Sequence, residues 1–141
     1  MVYQNLLNNE NIITRAQLGG MQVIEHARDM SVAPWTSKTE YYCSQMGVNK
    51  RQLLLNLNGN SYTIQAGAMQ WMSGNVNMGS GITGVGNFLG KMVSAAVTKE
   101  SAVKPVYSGY GQVMLEPTYR HILLTDVASW GGSIVLDDGL F

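Results

Sequence analysis

Side chains that could bind a metal ion or act as an acid or base are few in this sequence. The chain of 141 residues contains two histidines, His26 and His121, and one cysteine, Cys43. Metal sites in proteins need three or four ligands from His, Cys and carboxylate side chains. Glu25 and His26 are adjacent, so on a strand they point to opposite faces and do not converge. We therefore predict no metal site, and an ordinary surface pair between His26 and Asp29.

A nucleophilic enzyme would need a base held beside a serine or cysteine. Cys43 has no base next to it in sequence, and a dyad with either histidine stays open at this stage. The simplest interpretation of Cys43 is an inert thiol that is at least half-buried. Segment 129–133 differs from the Gly-x-Ser-x-Gly pattern of hydrolase nucleophiles, and Asp137-Asp138 before a glycine favours a turn. The sequence therefore predicts a protein that is not an enzyme, without catalytic residues, metal or cofactor.

Charge is scarce and balanced along the chain. Charged residues make up 13% of it, and 9 basic residues balance 9 acidic ones. Such a chain has no overall positive field to attract nucleic acid or anionic lipid. Lys50-Arg51 is the only adjacent basic pair, which argues against RNA. Lys91 and Lys99, beside an apolar segment at residues 87–97, give only thin support for a membrane surface. A near-zero net charge instead favours association between copies.

The length of the chain suits a single domain spanning residues 1–141. No run approaches the ~20 apolar residues that span a bilayer, and the first residues lack the pattern of a secretory signal. A single cysteine cannot form a disulfide within the chain and fits a reducing compartment. We therefore expect a soluble, cytoplasmic protein.

Alternating apolar and polar residues dominate the chain and predict an all-β fold, an antiparallel β-sandwich. Asn58-Gly59 and Ser73-Gly74 are tight-turn signals, because Asn and Gly tolerate positive φ. The predicted strands, each bounded by Gly, Pro, Asn or Asp, cover residues 21–27, 52–57, 61–65, 68–72, 75–78, 104–107, 111–115, 121–125 and 133–136.

One segment breaks this pattern, a glycine-rich insertion at residues 79–98. Its second half has helical spacing and predicts one short helix near residues 87–97. Its glycines do not match the dinucleotide fingerprint, and no parallel βαβ unit surrounds them. The helix either closes one end of the sandwich or contacts a partner. The predicted partner contacts are Phe88, Leu89, Met92, Val93 and Trp130.

Residues 65–76, with the turn Gly67-Ala68-Met69, resemble the signature of the altered-inheritance-of-mitochondria, or mitochondrial biogenesis, family, which has widespread bacterial relatives. In that family a glycine-rich insertion follows, as at residues 79–98, and then a hairpin of small residues leading to Leu-x-Pro. The resemblance covers about residues 50–141. The residues that carry it are Gly67, Ala68, Met69, Gly109, Gly111, Leu115, Pro117 and Gly139.

The resemblance implies a fold like that of the tryptophan RNA-binding attenuation protein (TRAP-like), a sandwich built as a distorted double-stranded β-helix. It supplies no catalytic residues. We therefore expect a non-enzymatic scaffold or interaction protein that forms a homo-oligomer, because low charge, exposed Met and Tyr, and an open strand edge favour self-association. An unidentified protein partner stays open. The alternative is a small-ligand or RNA-binding module with the TRAP-like fold.

Overall fold

The computed structural model describes residues 6–29, 31–79 and 104–136. Their backbone forms mainly β-strands, which confirms the predicted all-β class. In chain order the elements are β1 (Ile12–Leu18), β2 (Met21–His26), α1 (Ser37–Gln45), β3 (Arg51–Asn56), β4 (Ser61–Thr63), β5 (Met69–Gly79), β6 (Val106–Leu115) and a 3-10 turn (Val127–Trp130). The predicted helix near 87–97 lies outside the described residues.

All six strands join one curled antiparallel sheet. β1 pairs with β2, and β2 pairs with β3. β6 is central: β3 pairs with its second half and β4 with its first half on one side. β5 runs along the whole of β6 on the other side. Among the described strands, β1 and β5 therefore form the two edges of the sheet.

The first hairpin, β1–β2, turns through Gly19-Gly20, since Leu18 lies opposite Met21. A two-residue glycine loop is favoured here because the tight turn needs positive φ, which Gly19 adopts at 56°. The pairing shifts between Thr14 and Ala16, so one extra residue bulges out of β1. Sequence reasoning missed β1 because its pattern, IITRAQL, contains this bulge and does not alternate strictly.

The predicted turn at Asn58-Gly59 adopts the expected positive φ, 46° and 87°, but the chain does not reverse there. β3 and β4 both run antiparallel to β6 on the same side. Asn56 lies opposite Gln112, and Ser61 lies opposite Ser108. The chain therefore advances five residues from β3 to β4 while β6 advances only four, so one extra residue is accommodated between β3 and β4. The Asn-Gly pair therefore forms a bulge that bends a nearly continuous ribbon.

The predicted turn at Ser73-Gly74 is wrong, since β5 is one continuous strand of 11 residues. The predicted gap between strands at residues 104–107 and 111–115 is likewise absent, since β6 runs for 10 residues through it. Gly74 and Gly109 keep positive φ, 95° and 113°, inside the ladder. β5 and β6 pair with each other along their whole length, and the backbone hydrogen bonds of that ladder keep both glycines within their strands. Glycine conformation alone therefore does not end a strand.

Both faces of the sheet are apolar near its centre, because consecutive buried residues point to opposite sides. Leu54 and Met114 pack with Ile24 on one face. Leu55 and Val113, their neighbours in sequence, lie in the cluster on the other face. That second cluster consists of Leu55, Leu57, Ile64, Tyr107 and Val113.

Helix α1 is the one α-helix of the described residues and was missed by sequence reasoning. It buries none of its residues. Its C-terminus is a Schellman motif: Val48 N–H donates to Cys43 O (2.8 Å) and Gly47 N–H to Ser44 O (3.0 Å), with Gly47 at φ 73°. That Gly after a short polar run was the available signal. Cys43 is half-buried, as expected.

The two strands predicted at residues 121–125 and 133–136 are wrong. Apart from the 3-10 turn, no regular structure is assigned to residues 121–136. Their apolar residues are strongly exposed in places, with Leu123 at 87% and Val135 at 97%. A strand needs a neighbour to pair with, and none of the described strands pairs with this segment.

Candidate functional site

The most buried charge in the described part of the protein is Glu25 on β2, at 2% exposure. Its carboxylate receives hydrogen bonds from Arg15 (2.6 Å) and Asn49 (3.2 Å) on Oε1 and pairs with Arg51 (2.7 Å) through Oε2. The β1 bulge lies beside Arg15. The Arg15 hydrogen bond lowers the pKa of Glu25, against the opposing effect of burial. Glu25 is therefore an ionised carboxylate whose charge is balanced by two arginines, which indicates a structural role.

A second charged cluster ties α1 to the sheet. Lys50 Nζ lies 2.7 Å from Asp29 Oδ2 and 3.0 Å from Glu40 Oε1 on the helix. Tyr119 donates to the same Glu40 oxygen at 2.6 Å, and the Lys50 ammonium lies 5.6 Å from the Tyr119 ring centroid. Since α1 buries no side chain, these polar contacts hold it in place.

The carboxylates of this second cluster are stabilised in their charged form. Burial raises the pKa of Asp29, but hydrogen bonds from Lys50 and Ser31 outweigh it and lower that pKa to about 2. The hydrogen bond from Tyr119, followed by that from Lys50, lowers the pKa of Glu40. The hydrogen bond to Asp29 raises the pKa of Lys50. The Lys50 cluster therefore stays ionised through the physiological range.

We expect Lys50→Met to release α1 from the sheet. Amide hydrogen exchange in residues 37–45 should accelerate several-fold, and the unfolding free energy should fall by about 1 kcal/mol, as for a partly exposed network. The pKa of Asp29 should rise from about 2 toward its ordinary range in an NMR titration. Lys38→Met, an exposed change on the same helix, is the control. Unchanged exchange in α1 would show that other contacts hold the helix.

The predicted surface pair of His26 and Asp29 is wrong. His26 Nε2 instead lies 2.8 Å from Gln52 Oε1, which as an amide oxygen can only accept. The Gln52 amide nitrogen in turn donates to Gln70 Oε1 and Leu115 O, each at 2.8 Å. His26 therefore helps to satisfy a buried glutamine, while Asp29 pairs with Lys50. Glu25 and His26 do point to opposite faces, as predicted.

Helix α1 and its flanks present large apolar side chains to solvent, here called the α1 patch. The patch consists of Trp35 (85% exposed), Tyr41 (60%), Tyr42 (57%) and Met46 (80%). The rings of Tyr41 and Tyr42 meet edge to face with centroids 5.5 Å apart. Sequence reasoning missed this patch because it assigned no helix to the first 50 residues. Clustered exposed aromatics of this kind mark interaction surfaces.

Of the predicted contact residues, the structure describes Trp130. Trp130 ends the 3-10 turn, whose start is capped by Asp126 Oδ1 accepting from Ala128 N–H at 3.0 Å, and it is 63% exposed. Its exposure is compatible with a partner contact. The other predicted contacts, Phe88, Leu89, Met92 and Val93, lie outside the described residues.

The residues that carried the family resemblance lie around β5 and β6. Gly67 adopts φ 80° in the turn before β5, and Ala68 O accepts from Glu116 N–H at 2.8 Å across the strand ends. Met69 and Leu115 pack against the cluster of Leu55 and Val113. Pro117 is exposed just after β6. Gly109 and Gly111 lie within β6, and Gly139 lies outside the described residues.

Within residues 6–29, 31–79 and 104–136, no three His, Cys, Asp or Glu side chains lie close enough together to hold a metal ion. Helices long and apolar enough to cross a membrane are also absent from these residues. The described residues therefore contain two clusters of paired charges, the exposed α1 patch and two sheet edges.

The sequence matches a family model, Mitochondrial biogenesis AIM24, over residues 44–141. No curated protein and no solved structure gives a significant match. The family match covers the strands β3 to β6 that form most of the sheet and includes the motif residues around β5 and β6. It spans well over half of the chain, and the protein therefore belongs to the mitochondrial biogenesis AIM24 family.

Proposed function

We propose that this protein is a non-enzymatic scaffold that works by self-association. The observation that carries the proposal is the α1 patch, in which Tyr41 and Tyr42 on the helix and Trp35 and Met46 on its flanks are each more than half exposed. A soluble chain rarely leaves such side chains clustered in water unless a partner covers them. Aromatic residues and Met are the types enriched at protein interfaces.

The ionic clusters support a structural role over a catalytic one. Glu25, Asp29 and Glu40 each accept from a cation, and the lowered pKa of each carboxyl makes it a poor proton carrier near neutral pH. A general base works best when its pKa lies near the operating pH. The single half-buried thiol of Cys43 also fits work in a reducing compartment, which we propose to be the cytoplasm.

The basic pair Lys50-Arg51 offers little to RNA. Lys50 forms ion pairs with Asp29 and Glu40. Arg51 pairs with Glu25, and its side chain is only 12% exposed. Phosphate groups would have to compete with these ion pairs for both cations. This arrangement favours self-association over the RNA-binding alternative.

We expect sedimentation velocity at 1–100 µM, about the range in which moderate homodimers form, to show a species larger than a monomer that grows with concentration. Because apolar and backbone contacts drive it, raising the salt from about 0.1 to 0.5 M should leave the association nearly unchanged. A monomer at every concentration would contradict the proposal. Dissociation by salt alone would point instead to charge-driven contacts.

A further inference from the structure

We propose that two copies of this chain pair through the outer edge of β5, which forms an antiparallel β5–β5 ladder about a two-fold axis at Asn75. This inference rests on the proposed self-association and adds a sheet edge to the surfaces that take part in it. β5 has β6 as its one partner among the described strands, so its other side presents an edge of the sheet. An edge strand offers unpaired N–H and C=O groups to a second strand.

The two sheet edges differ in how they are protected. Proteins guard edges with charges, bulges, prolines or short strands. β1 is short, bulged beside Arg15, and carries that charge with its side chain 51% exposed. β5 is 11 residues long and has no charged residue and no proline. Its one register shift lies between Met69 and Trp71, so residues 71–79 pair continuously with β6, with Gly74 at a positive φ of 95°.

The sequence of β5 is nearly self-complementary about Asn75. If Asn75 lies opposite its own copy, methionine faces methionine on one side of the strand and polar residues face polar residues on the other. Met72 then meets Met78, and Gly74 meets Val76 on one face, while Ser73 meets Asn77 on the other. Trp71 and Gly79 lie opposite each other at the ends of this register, and Trp71 packs against the Ile24 cluster of its own chain. The matches of Met72 with Met78 and of Ser73 with Asn77, together with the absence of charge on β5, favour a second copy as the occupant.

Exposure and packing of the side chains agree with this register. Met72 and Met78 are each 43% exposed, and Val76, on the same face, packs against the cluster of Leu55 and Val113. Pairing would continue that apolar cluster into the second copy. On the other face, Gln112 donates to Asn56 at 2.8 Å and lies opposite Ser73. The row of amides would therefore extend through Ser73 to Asn77 of the second chain.

The decisive variants put like charges at the two-fold axis. In Asn75→Asp, the two carboxylates would lie directly opposite each other, about 5 Å apart at Cβ. In Asn75→Lys, the two ammonium groups would do the same. We expect each variant alone to raise the dimer dissociation constant at least about fivefold in sedimentation equilibrium. An equimolar mixture should restore tight association as a heterodimer, because opposite charges then face each other.

Asn77→Asp is the matched control, since it adds the same charge to the same exposed strand. In the proposed register it faces Ser73, and its own copy lies about 14 Å away, beyond the screening length. Its dissociation constant should stay within about twofold of the unmodified chain. Circular dichroism checks that each variant is folded, and restoration by mixing shows that folding is not the cause of the loss.

Hydrogen exchange on the unmodified chain provides a second measurement. Amides in residues 71–79 should become protected as concentration rises, while those in β1 should not. A chain that associates with unprotected β5 amides, or equally in all three variants, would overturn this inference and leave self-association standing. A chain that stays monomeric would overturn both.

Discussion

Replacing Gly111 with alanine is expected to lower the unfolding free energy by about 3 kcal/mol, at the upper end for overpacking. A Cβ added at Gly111 would lie 2.1 Å from the backbone oxygen of Ser73 and 2.6 Å from Val76 Cγ2. The first contact is with main chain, so no rotamer change can relieve it. The β5–β6 ladder would have to separate locally and lose hydrogen bonds between its paired residues.

Gly79→Ala is the matched control for this prediction. It lies on β5, and a Cβ there meets nothing within 4 Å. Alanine should leave stability unchanged or raise it by up to about 1 kcal/mol, because it restricts the unfolded chain. Chemical denaturation of both variants measures the difference. A Gly111→Ala protein within 0.5 kcal/mol or so of the unmodified chain would show that β5 and β6 do not approach as closely as described.

Replacing Glu25 with glutamine is expected to lower the unfolding free energy at neutral pH by about 2 kcal/mol. The change keeps the size of the side chain but removes the charge that neutralises Arg15 and Arg51. Arg51 is only 12% exposed and would be left with an uncompensated charge. Arg15 is 51% exposed and can recover solvation, which moderates the cost.

The same substitution should change how stability depends on pH. Because the folded state lowers the pKa of Glu25, its contribution is fully present above the unfolded carboxyl pKa of about 4.3. That contribution is lost as the pH falls through the lower folded pKa. The unmodified chain should therefore lose stability more steeply than Glu25→Gln below about pH 4, so that the two curves converge in acid.

Denaturation at a series of pH values checks this convergence, with Glu116→Gln as the control. Glu116 is exposed just after β6, so the same chemical change should alter stability by no more than about 0.5 kcal/mol. A constant difference between Glu25→Gln and the unmodified chain from pH 7 to about pH 2 would mean that packing, and not charge, accounts for the loss.

The two ionic clusters also fix the positions of the surfaces through which the protein could make contacts. Glu25 joins β1 to β2 and β3 and so stiffens one end of the sheet. Lys50 holds α1, and with it the α1 patch, through charge and a hydrogen-bonded tyrosine instead of a buried face. The proposed β5 interface lies at the opposite edge of the sheet from β1. The protein therefore has two surfaces on which copies could associate, the β5 edge and the α1 patch.

Short local patterns were enough to predict the all-β class and the strands β2 and β3, with bounds close to those observed. Loose alternation marked residues 21–27, and an apolar run closed by Asn58-Gly59 marked residues 52–57, although both strands bury consecutive residues on the two faces of the sheet. The motif around Gly67-Ala68-Met69 likewise led to the family that the full comparison confirms.

Pairing between distant segments decided the rest. β5 runs through Gly74 without a turn because β6 supports it, while residues 121–125, equally apolar, form no strand because no described strand lies beside them. The Glu25 cluster joins Arg15, Asn49 and Arg51, which meet only after β1, β2 and β3 are in register. Side-chain pattern is a local property, whereas backbone hydrogen bonding and charge neutralisation in a sheet depend on which strands become neighbours.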